Sequence, residues 1–247
     1  MRTLIQRLVT VVVVLSWSHL AAAQTADEII NKSITAMGGR AAMEKIKTRT
    51  MSGALTLGTP AGDISGTIQI QNAAPNKTRT LIKADLSSLG AGPLEVDQRF
   101  DGTTGYILDS LQGDRPMPAD QVNNLKNNGF PHGFLTYKAN GISASVAGKE
   151  KVGDRDAYVL VFEPTVGSPV RHYIDAETYL EIQTRVKANI PQVGEIEQTS
   201  RTSDYREVDG VKIPFKIEVS SSVQSFTIVI NKVEHNTPID DKLFVKP

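Results

Sequence analysis

The spacing of apolar residues changes once along the chain, from a helical to a strand period. Between Ala26 and Met37, the residues Ile29, Ile30, Ile34 and Met37 recur three and four positions apart, the stripe of an amphipathic helix. Asp27 and Glu28 stand where the helix dipole favours negative charge, and Gly38-Gly39 supplies a C-cap. A second short helix is predicted over Ala41–Ile46. From about Thr48 the period falls to two. Met51–Leu57 stops at Gly58-Thr59-Pro60 and Ile64–Ile70 stops near Asn72-Ala73-Ala74-Pro75, so both read as half-buried strands ended by turns. Further strands are predicted over Thr78–Ala84, Leu94–Phe100, Thr104–Leu108, Ala144–Val152, Ala157–Glu163 and Val170–Ile174. Leu180–Ala188, Glu195–Val208, Val211–Ser220 and Phe226–Glu234 complete the set. The pairs Asp101-Gly102, Gly153-Asp154 and Asp209-Gly210 separate several of them and are hairpin signals, which implies an antiparallel meander.

One stretch breaks the rhythm. Pro118–Tyr137 scatters Val122, Leu125, Phe130, Phe134 and Leu135 among Asn, Lys and Gly, with Pro131 and Gly133 as breakers, and reads as one or two short helices inserted between strands. Such an insertion can cover a sheet face. A twisted antiparallel sheet of about a dozen strands curls and leaves a concave side to fill. Either it closes into a barrel packed with its own side chains, or it stays partly open around an apolar cavity.

The N-terminus changes the setting. Arg2 and Arg7 precede an apolar run, Leu8–Trp17, followed by Ala21-Ala22-Ala23, the pattern of a secretion signal cut before Gln24. Ten apolar residues rise only about 15 Å as a helix, against a hydrocarbon core of about 30 Å. Residues 1–23 are therefore expected to be removed, leaving 24–247 as one domain that works outside the cytoplasm. The chain has no Cys, which excludes disulfides, thiol catalysis and a thioether-linked lipid. Loss of the two arginines takes the charge balance from 27 against 27 to 25 basic against 27 acidic, no footprint for nucleic acid.

Candidate chemistry is sparse. His132, His172 and His235 are far apart in sequence, so a metal site would need long-range convergence, and none is expected. Asp240-Asp241 reads as a turn and Glu195/Glu197 as the solvent face of a strand. Gly-x-Ser-x-Gly is absent, and Gly38-Gly39-Arg40 lacks the preceding strand and Lys-Ser/Thr of a phosphate loop. No catalytic residue, no cofactor and no enzymatic activity are expected. What remains is the alternation itself. Leu55, Leu57, Ile68, Ile70, Tyr106, Leu108, Leu160, Phe162, Phe215 and Ile217 are the candidate lining of a lipid-binding face, the alternative being that they simply fill a core.

The opening ADEIINKSITAMGGRAAMEKIKTRTMSG, the hairpin RHYIDAETYLEIQTRVK, the strand pair SDYREVDGVKIPFKIEVS and the end IDDKLFVKP resemble the LolA/LolB-like superfamily of periplasmic lipoprotein carriers and sorting proteins. The resemblance implies a mainly β (α+β) fold: a strongly curved antiparallel sheet forming an open half-barrel, capped by a few short helices. It further implies a soluble, monomeric carrier whose partners are the acyl chains of a lipid or lipoprotein. The alternative it leaves is a non-catalytic accessory or sensor domain that binds another envelope protein. Carriers of this kind hold the cap through an Arg of the sheet. Arg79, Arg99 and Arg185 are strand residues, and none sits in a matching motif.

Overall fold

A computed structural model of the chain describes residues 24–60, 62–190 and 194–247; the expected signal peptide, residues 1–23, lies outside the described residues. Helix α1 spans Ala26–Ala36 and α2 spans Arg40–Met43. Thr25 opens α1 with a reciprocal cap: its hydroxyl accepts from the Glu28 amide at 3.3 Å, and the Glu28 carboxylate accepts from the Thr25 amide at 3.0 Å. Gly38 and Gly39 end it with φ of 116° and 87°, a conformation that side chains with a Cβ disfavour. Gly38 has a second duty, because a Cβ there would lie 2.0 Å from the Gly210 carbonyl oxygen.

The strands are β1 (Thr48–Thr59), β2 (Gly62–Ala73), β3 (Lys77–Asp85), β4 (Pro93–Phe100), β5 (Gly105–Asp109) and β6 (Arg115–Pro116). Helix α3 (Ala119–Asn127) and a 3-10 turn, Gly133–Leu135, follow. Then come β7 (Ser143–Val152), β8 (Arg155–Glu163), β9 (Val170–Asp175), β10 (Glu181–Ile190), β11 (Gly194–Val208), β12 (Val211–Ser220) and β13 (Ser225–His235). All thirteen belong to one antiparallel sheet in the order β6-β5-β4-β3-β2-β1-β13-β12-β11-β10-β9-β8-β7. The first and last strands thus meet in the middle, and two meanders spread outward. β6 and β7 are the edges and do not pair, so the sheet stays open. Residues 117–142, carrying α3 and the 3-10 turn, run from one edge to the other and form a strap across the concave side.

Residues directly opposite one another in a ladder share a face. Leu55 lies opposite Gly66 and Ile228, Ile68 opposite Gly53 and Ile82, and Ile217 opposite Ile228, which fixes the concave face of the central strands. Against it pack Ile29, Ile30, Ile34 and Met37 of the opening helix, Met43 and Ile46 beyond it, and Phe134 and Tyr137 of the strap. With Leu55, Ile68, Leu160, Phe162, Phe215, Ile228 and Ile230 they make one core. A smaller cluster, Ala157, Val159, Tyr173 and Ile182, lies on the convex side, where the Arg185 guanidinium stacks 5.0 Å from the Tyr173 ring centre.

The predicted strands all appear, most of them longer at one or both ends, with β5 and β10 beginning one residue later and β12 as predicted; β6 adds a two-residue pairing too short to show any periodicity. One part of the predicted lining is corrected. Tyr106 lies opposite Arg99, and Leu108 opposite Asp97. Arg79 and Arg99 grip Asp97 from both sides at 2.8 Å, so this is the polar, convex face. The arginines hold the Asp97 carboxyl below its usual range although burial opposes them. Ile107, between Tyr106 and Leu108, is the buried residue that faces inward.

Candidate functional site

Where the strap crosses the β8–β10 arm, the concave side is not filled. A cavity of about 440 Å³ lies between them, within the size range of small-molecule sites. Its apolar wall is Phe134, Ile142, Phe162, Val170 and Val186; its polar wall is His132, His172, Glu181 and Thr184, with Asn124, Asn127 and Asn128 from the strap and Ser168 from the β8–β9 loop. Asn127 donates to the Val166 carbonyl at 2.8 Å and Asn124 accepts from the Ser168 amide at 3.0 Å, which pins α3 to the β8–β9 loop beside the cavity.

The polar wall is built by a break in the ladder. Gln183 lies opposite Tyr173 and Glu181 opposite Ile174, with Ile182 as an extra residue between them. Simple alternation would put Glu181 on the convex face with Gln183. The bulge turns it to the concave face, where its carboxylate meets His172 Nδ1 at 2.6 Å, while Ile182 joins the convex cluster. The Glu181 carbonyl accepts from the Thr202 and Tyr205 hydroxyls, each at 2.7 Å, which fixes the kinked strand. The His172 ring packs 4.6 Å from Phe162 and 5.2 Å from Phe134, centre to centre.

His132 enters from the strap. Its Nδ1 accepts from the Phe134 amide at 3.2 Å, which leaves the proton of the neutral ring on Nε2. Burial lowers its pKa to about 4; Glu181 opposes the shift, and His172 and Arg49 add to it. Arg49 sits on the concave side of β1, its Nε donating to His235 Nε2 at 3.1 Å and its guanidinium lying 5.3 Å from the Phe130 ring centre of the strap. Burial lowers the Arg49 pKa to about 10.

Among the ten candidate lining residues, Phe162 alone borders this cavity. Leu55, Ile68, Leu160 and Phe215 are buried in the packed core, and Leu57, Ile70 and Ile217 pack against it. Tyr106 and Leu108 face the other way. Sequence reasoning missed Glu181 and Thr184 and left His132 and His172 as isolated residues. The signal for His172 is a polar residue where the inward alternation calls for an apolar one: it stands between Val170 and Ile174 on the same face, opposite Leu160 of β8. Among the described residues no group of three metal-ligating side chains forms, and no helix is long and apolar enough to cross a membrane.

No family model and no curated protein matches the chain. Solved structures do match in fold. A LolA superfamily protein from Nitrosomonas europaea superposes with a TM-score of 0.59 at 14% identity, over 91% of this chain and 99% of its own. A DUF1329 family protein from Desulfovibrio piger gives 0.56 at 10% identity, over 89% and 97%. An outer membrane lipoprotein-sorting protein domain from Vibrio parahaemolyticus gives 0.56 at 10% identity, over 89% and 95%. With its open curved sheet and strapped concave face, the chain has the fold of these LolA-like proteins.

Proposed function

We propose that the chain is a non-catalytic periplasmic carrier or binding protein that holds an acyl chain between its curved sheet and its strap. The observation that carries this reading is the 440 Å³ cavity, whose wall of Phe134, Ile142, Phe162, Val170 and Val186 offers apolar contact to a chain. Burying a methylene there removes apolar surface from water and contributes about 0.8 kcal/mol. The fold shared with a LolA superfamily protein and a lipoprotein-sorting domain supports the same reading, as does the secretion signal expected at the N-terminus. The middle of the strap joins no strand ladder: the Phe130 amide donates to the Pro75 carbonyl at 2.9 Å and side-chain contacts supply the other attachments, so it can lift to admit a ligand without breaking the sheet.

The competing role, docking of another envelope protein on the convex face, calls for an apolar patch there. Among the exposed large hydrophobics described, Val229 is the one that projects from a strand on that face, and its cross-strand partners are Ala54 and Lys216.

A cavity-filling variant separates ligand binding from folding. Val186→Trp should retain the fold and thermal transition within a few degrees while lowering affinity for a fluorescent fatty-acyl probe at least tenfold. Undiminished binding by the folded variant would place the acyl site elsewhere.

A further inference from the structure

We infer that the cavity selects an uncharged, single-chain amphiphile, one whose head carries hydroxyl or ester groups, and rejects chains that end in an anion. This rests on the acyl-binding reading and adds the chemistry of the head group. No Lys or Arg borders the cavity, and its one formal charge is the Glu181 carboxylate. That carboxylate is already engaged by His172 at 2.6 Å. If His172 is neutral the pair carries −1, and if it is protonated the pair is balanced; neither state leaves a surplus positive charge for a carboxylate or phosphate head. An anion placed there would be desolvated beside Glu181 with no cation in the wall; Arg49, near enough to His132 to depress its pKa, lies outside the lining and donates to His235 Nε2.

The groups that remain suit a neutral head. His132 gives its Nδ1 lone pair to the Phe134 amide, so its Nε2–H is a donor, and among the described residues it has no acceptor. Glu181 keeps carboxylate lone pairs beyond the one that faces His172, and these accept from a hydroxyl. Thr184, opposite His172 on the neighbouring strand, both donates and accepts. A glycerol ester or a long-chain alcohol presents both an acceptor oxygen and a hydroxyl donor, whereas a carboxylate presents acceptors only. The size agrees with one chain: 440 Å³ is near the lower end of small-ligand sites, and the remainder of the concave face is filled by the protein's own core.

The test uses the full mature chain and two ligands with the same tail, 1-monododecanoylglycerol and dodecanoate, titrated at pH 7.5 below their micellar concentrations. The monoacylglycerol should bind at least about tenfold tighter. In Glu181→Gln, which keeps the size of the side chain and removes its charge, the preference should shrink to within about threefold. Equal or tighter binding of dodecanoate to the native protein overturns the head-group selection while leaving an acyl carrier standing. A preference unchanged in a folded Glu181→Gln variant overturns the placement of the head at His172 and Glu181. Failure of both ligands to bind overturns the carrier reading together with this one.

Discussion

At the scale of single residues, His132 and Gly38 each carry a measurable consequence. His132 is half-buried and kept neutral by the desolvation of its ring, which lowers its pKa to about 4 from an ordinary 6.5. Above pH 6.5 neither the folded nor the unfolded chain holds the extra proton, and His132 is silent. As the pH falls below 6.5 the unfolded chain takes the proton first, so stability drops, by about 3 kcal/mol in all once the pH passes 4. The lowered carboxyls of Asp97 and Asp175 act in a separate window, because their stabilisation is present above about pH 3.8 and is lost only below it. Urea midpoints measured from pH 7 to 4.5 should therefore decline in the native protein. They should decline less in His132→Gln, whose amide oxygen can still accept from the Phe134 amide. Equal slopes would show that His132 is solvated and titrates normally. For Gly38, an added Cβ meets the Gly210 carbonyl at 2.0 Å in a backbone conformation already costly for other residues. Gly38→Ala should cost at least about 2 kcal/mol in chemical denaturation. A smaller loss would mean the α1–α2 corner yields.

At the scale of elements, what was legible in the sequence was whatever a constant period writes. The helix stripe at Ile29, Ile30, Ile34 and Met37 and the two-residue alternation of the long strands located α1 and nearly every strand. Period alone could not say which face was which. Tyr106 and Leu108 alternate as cleanly as Leu160 and Phe162, yet the pairing of Arg99 with Tyr106 puts them on the convex side. Nor could it see the site. His172 and Glu181 come together because a bulge at Ile182 reverses the strand's facing, and His132 belongs to an irregular strap with no period to read. The strap's attachment to α1 is a contact of the same unwritten kind: Asp27 accepts from the Tyr137 hydroxyl and from Lys138 at 2.6 Å. The Lys138 partner is largely exposed, so the ion pair adds little to global stability. Its effect is on the strap. Asp27→Asn should change the unfolding free energy by less than about 1 kcal/mol, while amide exchange over residues 133–138 quickens. A loss confined to global stability, with strap exchange unchanged, would show that other contacts hold the strap down.

At the scale of the whole molecule, an open sheet must answer for its edges. β6 is only two residues long, which leaves little unpaired backbone. β7 is ten residues long and mostly exposed, with β8 as its one neighbour; it is guarded by Lys149, Glu150 and Lys151 and by a register shift between Val146 and Gly148. Charge and a bulge are the usual means by which an edge resists pairing with a second chain. β1, in contrast, is bracketed by β2 and β13, and its Leu55 and the neighbouring Ile230 of β13 lie in the core. Opening free energies should therefore rise from the edges inward. Hydrogen exchange of the free protein should find β1, β2 and β13 slowest and the outward amides of β7 among the fastest, at any protein concentration. Protection of β7 that equals that of β1 and grows with concentration would mean that two copies join edge to edge, and that the half-barrel is completed by a partner rather than left open as a monomer.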